Sequence, residues 1–510
     1  MPNWTDGRTG IEVGSPRIRA QGAAPRSFER GGPRTSVRLP PKHAGIAGAP
    51  PFKMRRGVKI RRKSLAHGGT LSGETPVLSK NQAKCCERGR LMRVAKFPLM
   101  SRLLGLALSL TLIVTLVTLG ALPRSQAAAK TLAVGITLPL TGADAEDAEL
   151  IKDGAVLAIE EANAKGGVAG YKIEIIILDS GTATAGQYDP AQAATNTKKL
   201  VANVGVVANI GPQMSGEGKA MSQILSEADM ATITPSSTNP DITNPKFKDK
   251  YRPNGKAVYF RTVTTDEYQG PNMANYYAET LKVHSVYVLD DSGAYGVGIA
   301  DSFQKRAEEK GIKILGRDQL NPKEADYTTI LTKIKGLNPD ALYYGGVEQA
   351  GTKLAKQAYD VIPKMPKGGG DGMYSASLLK GAGFPASGGW YATIASPHLV
   401  ESAEIQDWVK RFAKRFGKQP GDYSITAYDA ALVVMDAIKR AAAAGKVDRH
   451  TVWDAIQNGA VKTLQGTVSF DENGDIKDRT VSVFQVVHNT SYPDDDIIHQ
   501  FKYLGVAPQN

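Results

Sequence analysis

Between Thr131 and Ala395 short apolar runs alternate with stretches of helical periodicity, and the alternation starts twice. The run Thr131 to Pro139 is apolar and bounded by turn residues, which is how a buried strand reads. Ala148 to Lys165 then sets Ile151, Ala155, Ala158, Ile159 and Ala162 at helical spacing, and Gly166-Gly167 ends it. Strands follow at Tyr171–Asp179, Val204–Ile210 and Ala231–Thr234, with helices at Pro190–Ala202 and Ser215–Ala228 between them. The rhythm resumes with strands at Ser285–Leu289, Lys313–Leu320, Ala341–Tyr344 and Trp390–Ala395. Helices at Val297–Lys310, Tyr327–Lys335 and Gln349–Tyr359 separate these strands. Strand–helix alternation of this kind predicts open parallel sheets, and two such units predict two α/β lobes. Residues 404–416, 425–443 and 451–458 add three helices, and Asn473-Gly474 marks a hairpin.

Ahead of this body lies Leu103 to Leu122, twenty residues without a charge. Arg93, Lys96 and Arg102 precede it, and Pro123 with Ala127-Ala128-Ala129 follows. Basic, apolar and small residues in that order have the layout of a secretory signal over 92–129. Such a signal needs its basic part near the terminus, so residues 1–91 are expected to be an upstream extension from a misassigned start. Met92 or Met100 would then be the true beginning. Their Arg-, Gly- and Pro-rich composition cannot bury enough surface to order them. Twenty apolar residues also suffice for an uncleaved membrane anchor. Cleavage at the alanines is the expectation, and either outcome puts the body outside the cytoplasm, in a periplasm.

The chain carries 63 Lys+Arg against 50 Asp+Glu. Residues 1–129 hold 23 of the former and 5 of the latter, which leaves the body 40 and 45, a net charge of −5. The basic character belongs to the leader, so a nucleic-acid partner is excluded for the body. Both cysteines, Cys85 and Cys86, also lie in the leader. The body has no disulfide and no thiolate chemistry, and no cysteine follows the apolar run to carry a lipid.

In open parallel sheets ligands bind beyond the carboxyl ends of the strands. Gly211-Pro212-Gln213-Met214-Ser215 and Thr234-Pro235-Ser236-Ser237-Thr238-Asn239-Pro240 occupy that position. They offer hydroxyls and free N–H groups to a carboxylate, or they simply cap the next helix. Asp371, set among glycines in Gly368-Gly369-Gly370-Asp371-Gly372, is either an anion for a ligand ammonium or a solvated turn residue. Asp471 to Asp475 has acids at alternate positions, but its glycine falls at the fourth place instead of the sixth, so a hairpin is expected there and no calcium loop. The body's histidines show no metal spacing, and no nucleophile elbow or phosphate loop is present. Neither an enzyme nor a cofactor is expected.

Several stretches together resemble the type I periplasmic solute-binding proteins of ABC importers, specifically the leucine/isoleucine/valine-binding family. They are Glu161 to Gly167, Thr234 to Pro240, Gln269-Gly270-Pro271, Asp291 to Gly298, Tyr343 to Gly346 and Phe470 to Asp475. The resemblance implies two Rossmann-like lobes joined by a three-strand hinge, closing on an amino acid in the interlobe cleft. Lobe one would be 131–263 plus 398–461, and lobe two 264–397 plus 462–510. Ser215 and Thr238 would donate to the α-carboxylate. The Ser236 carbonyl and Asp371 would accept from the α-ammonium, and Tyr295 would cover the ligand. An inner-membrane permease and its ATPase are the implied partners of a monomer. Relatives that take amides, urea or aromatic acids, and sensors of the same fold, are the alternatives. Two departures bear on specificity. Val347 stands where the branched-chain binders have an aromatic residue. Glu146 and Asp147, in Asp144 to Glu149, are possible pocket-lining residues: either a solvated helix start or an acidic rim that prefers a larger or cationic side chain.

Overall fold

The computed structural model describes residues 130–509. The leader and the signal expected over 1–129 lie outside the described residues. Among those described, no helix is long and apolar enough to cross a membrane. Numbering the strands of the two main sheets in chain order, the first comprises β1 (Lys130–Leu138), β2 (Tyr171–Asp179), β3 (Val206–Ile210), β4 (Ala231–Thr234) and β5 (Tyr259–Arg261). Their order is β2-β1-β3-β4-β5, and every pair is parallel. β3, β4 and β5 are buried at every residue because helices cover both faces, the usual state of an all-parallel sheet. On one face Val134 and Ile136 meet Ile151 and Ala155 of Ala145–Ala164, Trp408 and Phe412 of Gln406–Phe416, and Val434 of Asp422–Ala443. On the other, Ala133 and Val206 meet Leu200 of Pro190–Ala202 and Met221 and Leu225 of Ser215–Glu227.

The second sheet comprises β6 (Ser285–Asp290), β7 (Lys313–Gln319), β8 (Ala341–Gly345), β9 (Lys367–Gly369), β10 (Trp390–Ile394), β11 (Ser482–Val486) and β12 (Phe501–Val506). Its order is β12-β11-β10-β9-β8-β6-β7, parallel from β6 to β10 and antiparallel through β11 and β12. The helix Glu348–Val361 buries Ala350, Leu354, Ala355 and Ala358, one face at helical spacing, against Leu342, Tyr344 and Trp390. The architecture is therefore α/β, two Rossmann-like lobes. Strand order reverses between β1 and β3 in one lobe and between β6 and β8 in the other, the places where such sheets open a crevice.

One expected boundary shifts. Residues 462–470, assigned to lobe two from sequence, pack in lobe one: Val468 and Phe470 belong to its core, and the Phe470 ring lies 5.0 Å from Phe260. The antiparallel hairpin Ala460–Thr463 and Gly466–Ser469 stays with lobe one, and the third crossover falls near 477–481. The hinge segments 262–265, 395–398 and 477–481 are irregular backbone. They are tied together by Thr264 N–H to the Ala395 carbonyl (2.8 Å) and Ser482 Oγ to the Ser396 carbonyl (2.9 Å).

Candidate functional site

A cavity lies between the lobes at the carboxyl ends of the strands. Ser215, Ser236, Tyr295, Val347, Asp371 and Asp147 all line it. About 60 Å³ of it is open to the centres of water molecules. That is room for only a few waters, so it suits a small molecule.

After β3, Gly211 turns the chain toward this cavity with φ +110°, and a Cβ there would stand 2.2 Å from the Thr137 carbonyl oxygen. Only glycine fits. The turn delivers Ser215 as the first residue of its helix, buried, with Oγ 3.2 Å from Ser237 Oγ and accepting from Asn239 N–H at 3.2 Å. With both neighbours donating to it, the Ser215 hydroxyl keeps its own proton for the cavity. Ser236 Oγ donates to the Gln213 carbonyl (3.2 Å), which ties the two turns together. Thr238 is set back. Its hydroxyl is fully buried without a hydrogen-bond partner, beside the Asp266 carboxyl, and does not line the cavity. Thr238 thus stands behind the cavity wall, next to Asp266.

From the second lobe, Asp371 follows β9. Its carboxylate accepts from Gln269 Nε2 (2.9 Å) and, across the cleft, from the Tyr423 hydroxyl (2.7 Å). Burial holds its carboxyl above the ordinary carboxylate range. Asp266 shares Gln269 with it (3.0 Å), and burial followed by the Asp371 charge pushes Asp266 up to about 8. Two carboxyls closed in together favour a positive charge between the lobes. Tyr295 Oη accepts from Gly372 N–H (3.1 Å), and its ring packs with Tyr188, Met214, Ile299 and Val347. Val347 is buried and donates its N–H to Asp291 (3.0 Å).

The acidic helix start joins the lobes: Asp147 lines the cavity, and Glu146 stands at the surface. Asp147 accepts from Ser375 Oγ (2.6 Å) and Ala376 N–H (3.0 Å), so a first-lobe carboxylate caps the second-lobe helix Ala376–Ala382. Glu146 lies outside the cavity and pairs with Lys380 (2.8 Å) at the surface. Asp147 adds two charge-assisted bonds between the lobes, which opening of the cleft would break. Asp147→Ala is accordingly expected to weaken ligand affinity roughly tenfold by favouring the open form. Titration calorimetry checks this, and small-angle scattering of the ligand-free variant should report a larger radius of gyration. An unchanged affinity would remove Asp147 from the closing mechanism.

Residues missed from sequence are Gln213 and Glu348 in the cavity wall, Tyr423 from Asp422–Ala443, and Gln269 behind Asp371. Gln213 stood inside a recognised turn. Gln269 lay in the stretch Gln269-Gly270-Pro271 that carries the resemblance, whereas Glu348 and Tyr423 carry no local signal, because they reach the site from helices whose patterns read as ordinary packing faces.

The sequence profile of the family described as periplasmic binding protein matches residues 131–491. A Leu/Ile/Val-binding protein of Rhizobium johnstonii is 30% identical over 354 residues, 69% of this chain and 90% of that one. The leucine-, isoleucine-, valine-, threonine- and alanine-binding protein of Pseudomonas aeruginosa is also 30% identical, over 70% of this chain and 90% of its own. Among solved structures, the leucine binding protein LivK of Thermotoga maritima superposes with a TM-score of 0.63 at 25% identity, covering 74% of this chain and 98% of that one. The chain belongs to the periplasmic binding protein family.

Proposed function

We propose that this protein is the extracytoplasmic substrate-binding component of an ABC importer for amino acids, closing its two lobes on the α-carboxylate and α-ammonium of the ligand. The observation that carries the reading is the pairing across one small cavity. The first-lobe turns at Ser215 and Ser236, with the Ser215 hydroxyl proton left free by two donating neighbours, line the same cavity as the second-lobe carboxylate of Asp371. A zwitterion needs both, and a ligand held by groups of both lobes binds the closed form better than the open one. Ser215 donates to the α-carboxylate, Asp371 and the Ser236 carbonyl accept from the α-ammonium, and Tyr295 covers the ligand. Thr238 holds its loop through its carbonyl, which accepts from Asp266 N–H (3.0 Å).

The named ligands of the 30%-identical relatives support amino acids over amides, urea or aromatic acids. The family and the signal layout of 92–129 support a periplasmic site of action, with an inner-membrane permease and its ATPase as partners and the binding protein acting as a monomer. A thermal-shift screen over the twenty amino acids, urea, acetamide and benzoate tests the reading, since a ligand of the native state raises its melting temperature. A subset of amino acids should raise it. A shift with urea, acetamide or benzoate and none with any amino acid would overturn the reading.

A further inference from the structure

Beyond the groups just assigned, the cavity wall is polar in one sense only. Among the described residues that line it there is no lysine, arginine or histidine, yet Gln213, Glu348 and Asp147 all present acceptors. Asp147 is satisfied by Ser375 and Ala376. Gln213 is not, and Glu348 has only the Asp144 carboxyl as its partner. Gln213 is 7% exposed and Glu348 4% exposed, and Gln213 Oε1 and Glu348 Oε2 are buried without a hydrogen-bond donor. The group set against Glu348 is Asp144 of the first lobe, itself fully buried and taking one N–H from Tyr188 (2.6 Å). Two facing carboxyls satisfy each other only by sharing a proton, so the pair remains short of positive charge. Leu150, Ile151 and Ile497 supply apolar surface in the same cavity.

We propose that the transported amino acid has a side chain bearing N–H donors, basic or amide, and that Gln213 and Glu348 receive those donors and set the specificity. The proposal rests on the amino-acid reading above. The apolar wall covers the methylene stem of such a side chain while its head meets the two acceptors. Leucine or valine would fill the space but leave Gln213 Oε1 unpaired and Glu348 with only the proton it shares with Asp144, and sites built around buried polar groups reject ligands that lack the partner.

Titration calorimetry with arginine, lysine, glutamine, asparagine, leucine and valine on the purified protein tests this. At least one donor-bearing amino acid is expected to bind about tenfold or more tightly than leucine and valine. Gln213→Leu and Glu348→Gln should each cut that ratio by at least about fivefold, with the melting temperature reporting that both variants fold. Gln213→Leu keeps the backbone carbonyl that holds Ser236, so its leucine affinity should hold or rise. Leucine or valine binding as tightly as every donor-bearing amino acid would overturn the proposal and leave the amino-acid reading standing. A donor preference unchanged in both variants would do the same. Binding of none of the six, with a shift by urea or benzoate, would overturn both.

Discussion

Asp371→Ala is expected to lower amino-acid affinity by about 30-fold or more, the equivalent of about 2 kcal/mol for the loss of a charge-assisted hydrogen bond. In the proposed site the carboxylate is the acceptor offered to the ligand ammonium, and it takes the Tyr423 hydroxyl across the cleft. Affinity and stability should move in different directions. Burial raises the Asp371 carboxyl, so keeping it ionised is unfavourable to the empty closed protein, and its charge also raises Asp266. Removing it should therefore leave the melting temperature of the ligand-free protein unchanged or higher at neutral pH while calorimetry records the lost affinity. The sign follows from linkage: a carboxyl raised in the folded state contributes stability at low pH that fades as pH climbs through its folded pKa. A structural role alone would lower both. A ligand without an ammonium would not need Asp371, so wild-type affinity in this variant would refute the site.

The parallel sheets were legible because their strands are buried on both faces and read as unbroken apolar runs, with helices of clear periodicity between them. What escaped was hidden by local chemistry. The helix Asp266–Glu279 contains Gly270-Pro271, which reads as a break, yet its surroundings hold Pro271 inside the helix. β9 is three residues of Lys-Gly-Gly, with neither alternation nor branched side chains, and is recognisable only once β8 and β10 flank it. The turns carrying Ser215, Ser236 and Asp371 could be located because a binding cleft lies where strands end. Whether a polar group there opens into the cavity, as Ser215 does, or meets a group of the other lobe, as Glu146 does with Lys380, depends on the opposite lobe. Contacts such as Asp147 to Ser375 and Tyr423 to Asp371 join residues far apart in sequence, and no periodicity encodes them.

Arg261 shows how the same long-range chemistry supports the site. It ends β5, is fully buried, and is the strand residue that pattern reading passes over. Its guanidinium donates to Asp475 (2.7 Å), to the Ser237 carbonyl (2.6 Å), and through Nη2 to the Asn239 carbonyl (2.7 Å) and Thr243 Oγ1 (3.1 Å). The two carbonyls flank Thr238, so this one side chain fixes the turn that carries Ser236. Asp475, from the acidic turn that lacks calcium-loop spacing, serves as its counter-ion and also accepts from Thr243 (2.9 Å). Arg261→Ala is expected to destabilise the protein by about 3–5 kcal/mol, the scale for breaking a buried ion pair by removing one partner, as read from urea denaturation. Arg261→Lys should recover only part of this, because a single ammonium cannot span acceptors that the planar fork reaches from three nitrogens. In the lysine variant, calorimetry should find weaker amino-acid binding than the stability loss alone explains, since the loosened turn no longer presents Ser236 in place. If the lysine variant were as stable and as tight-binding as wild type, the fork geometry would be irrelevant, and the turn would owe its shape to its own prolines and Asx caps.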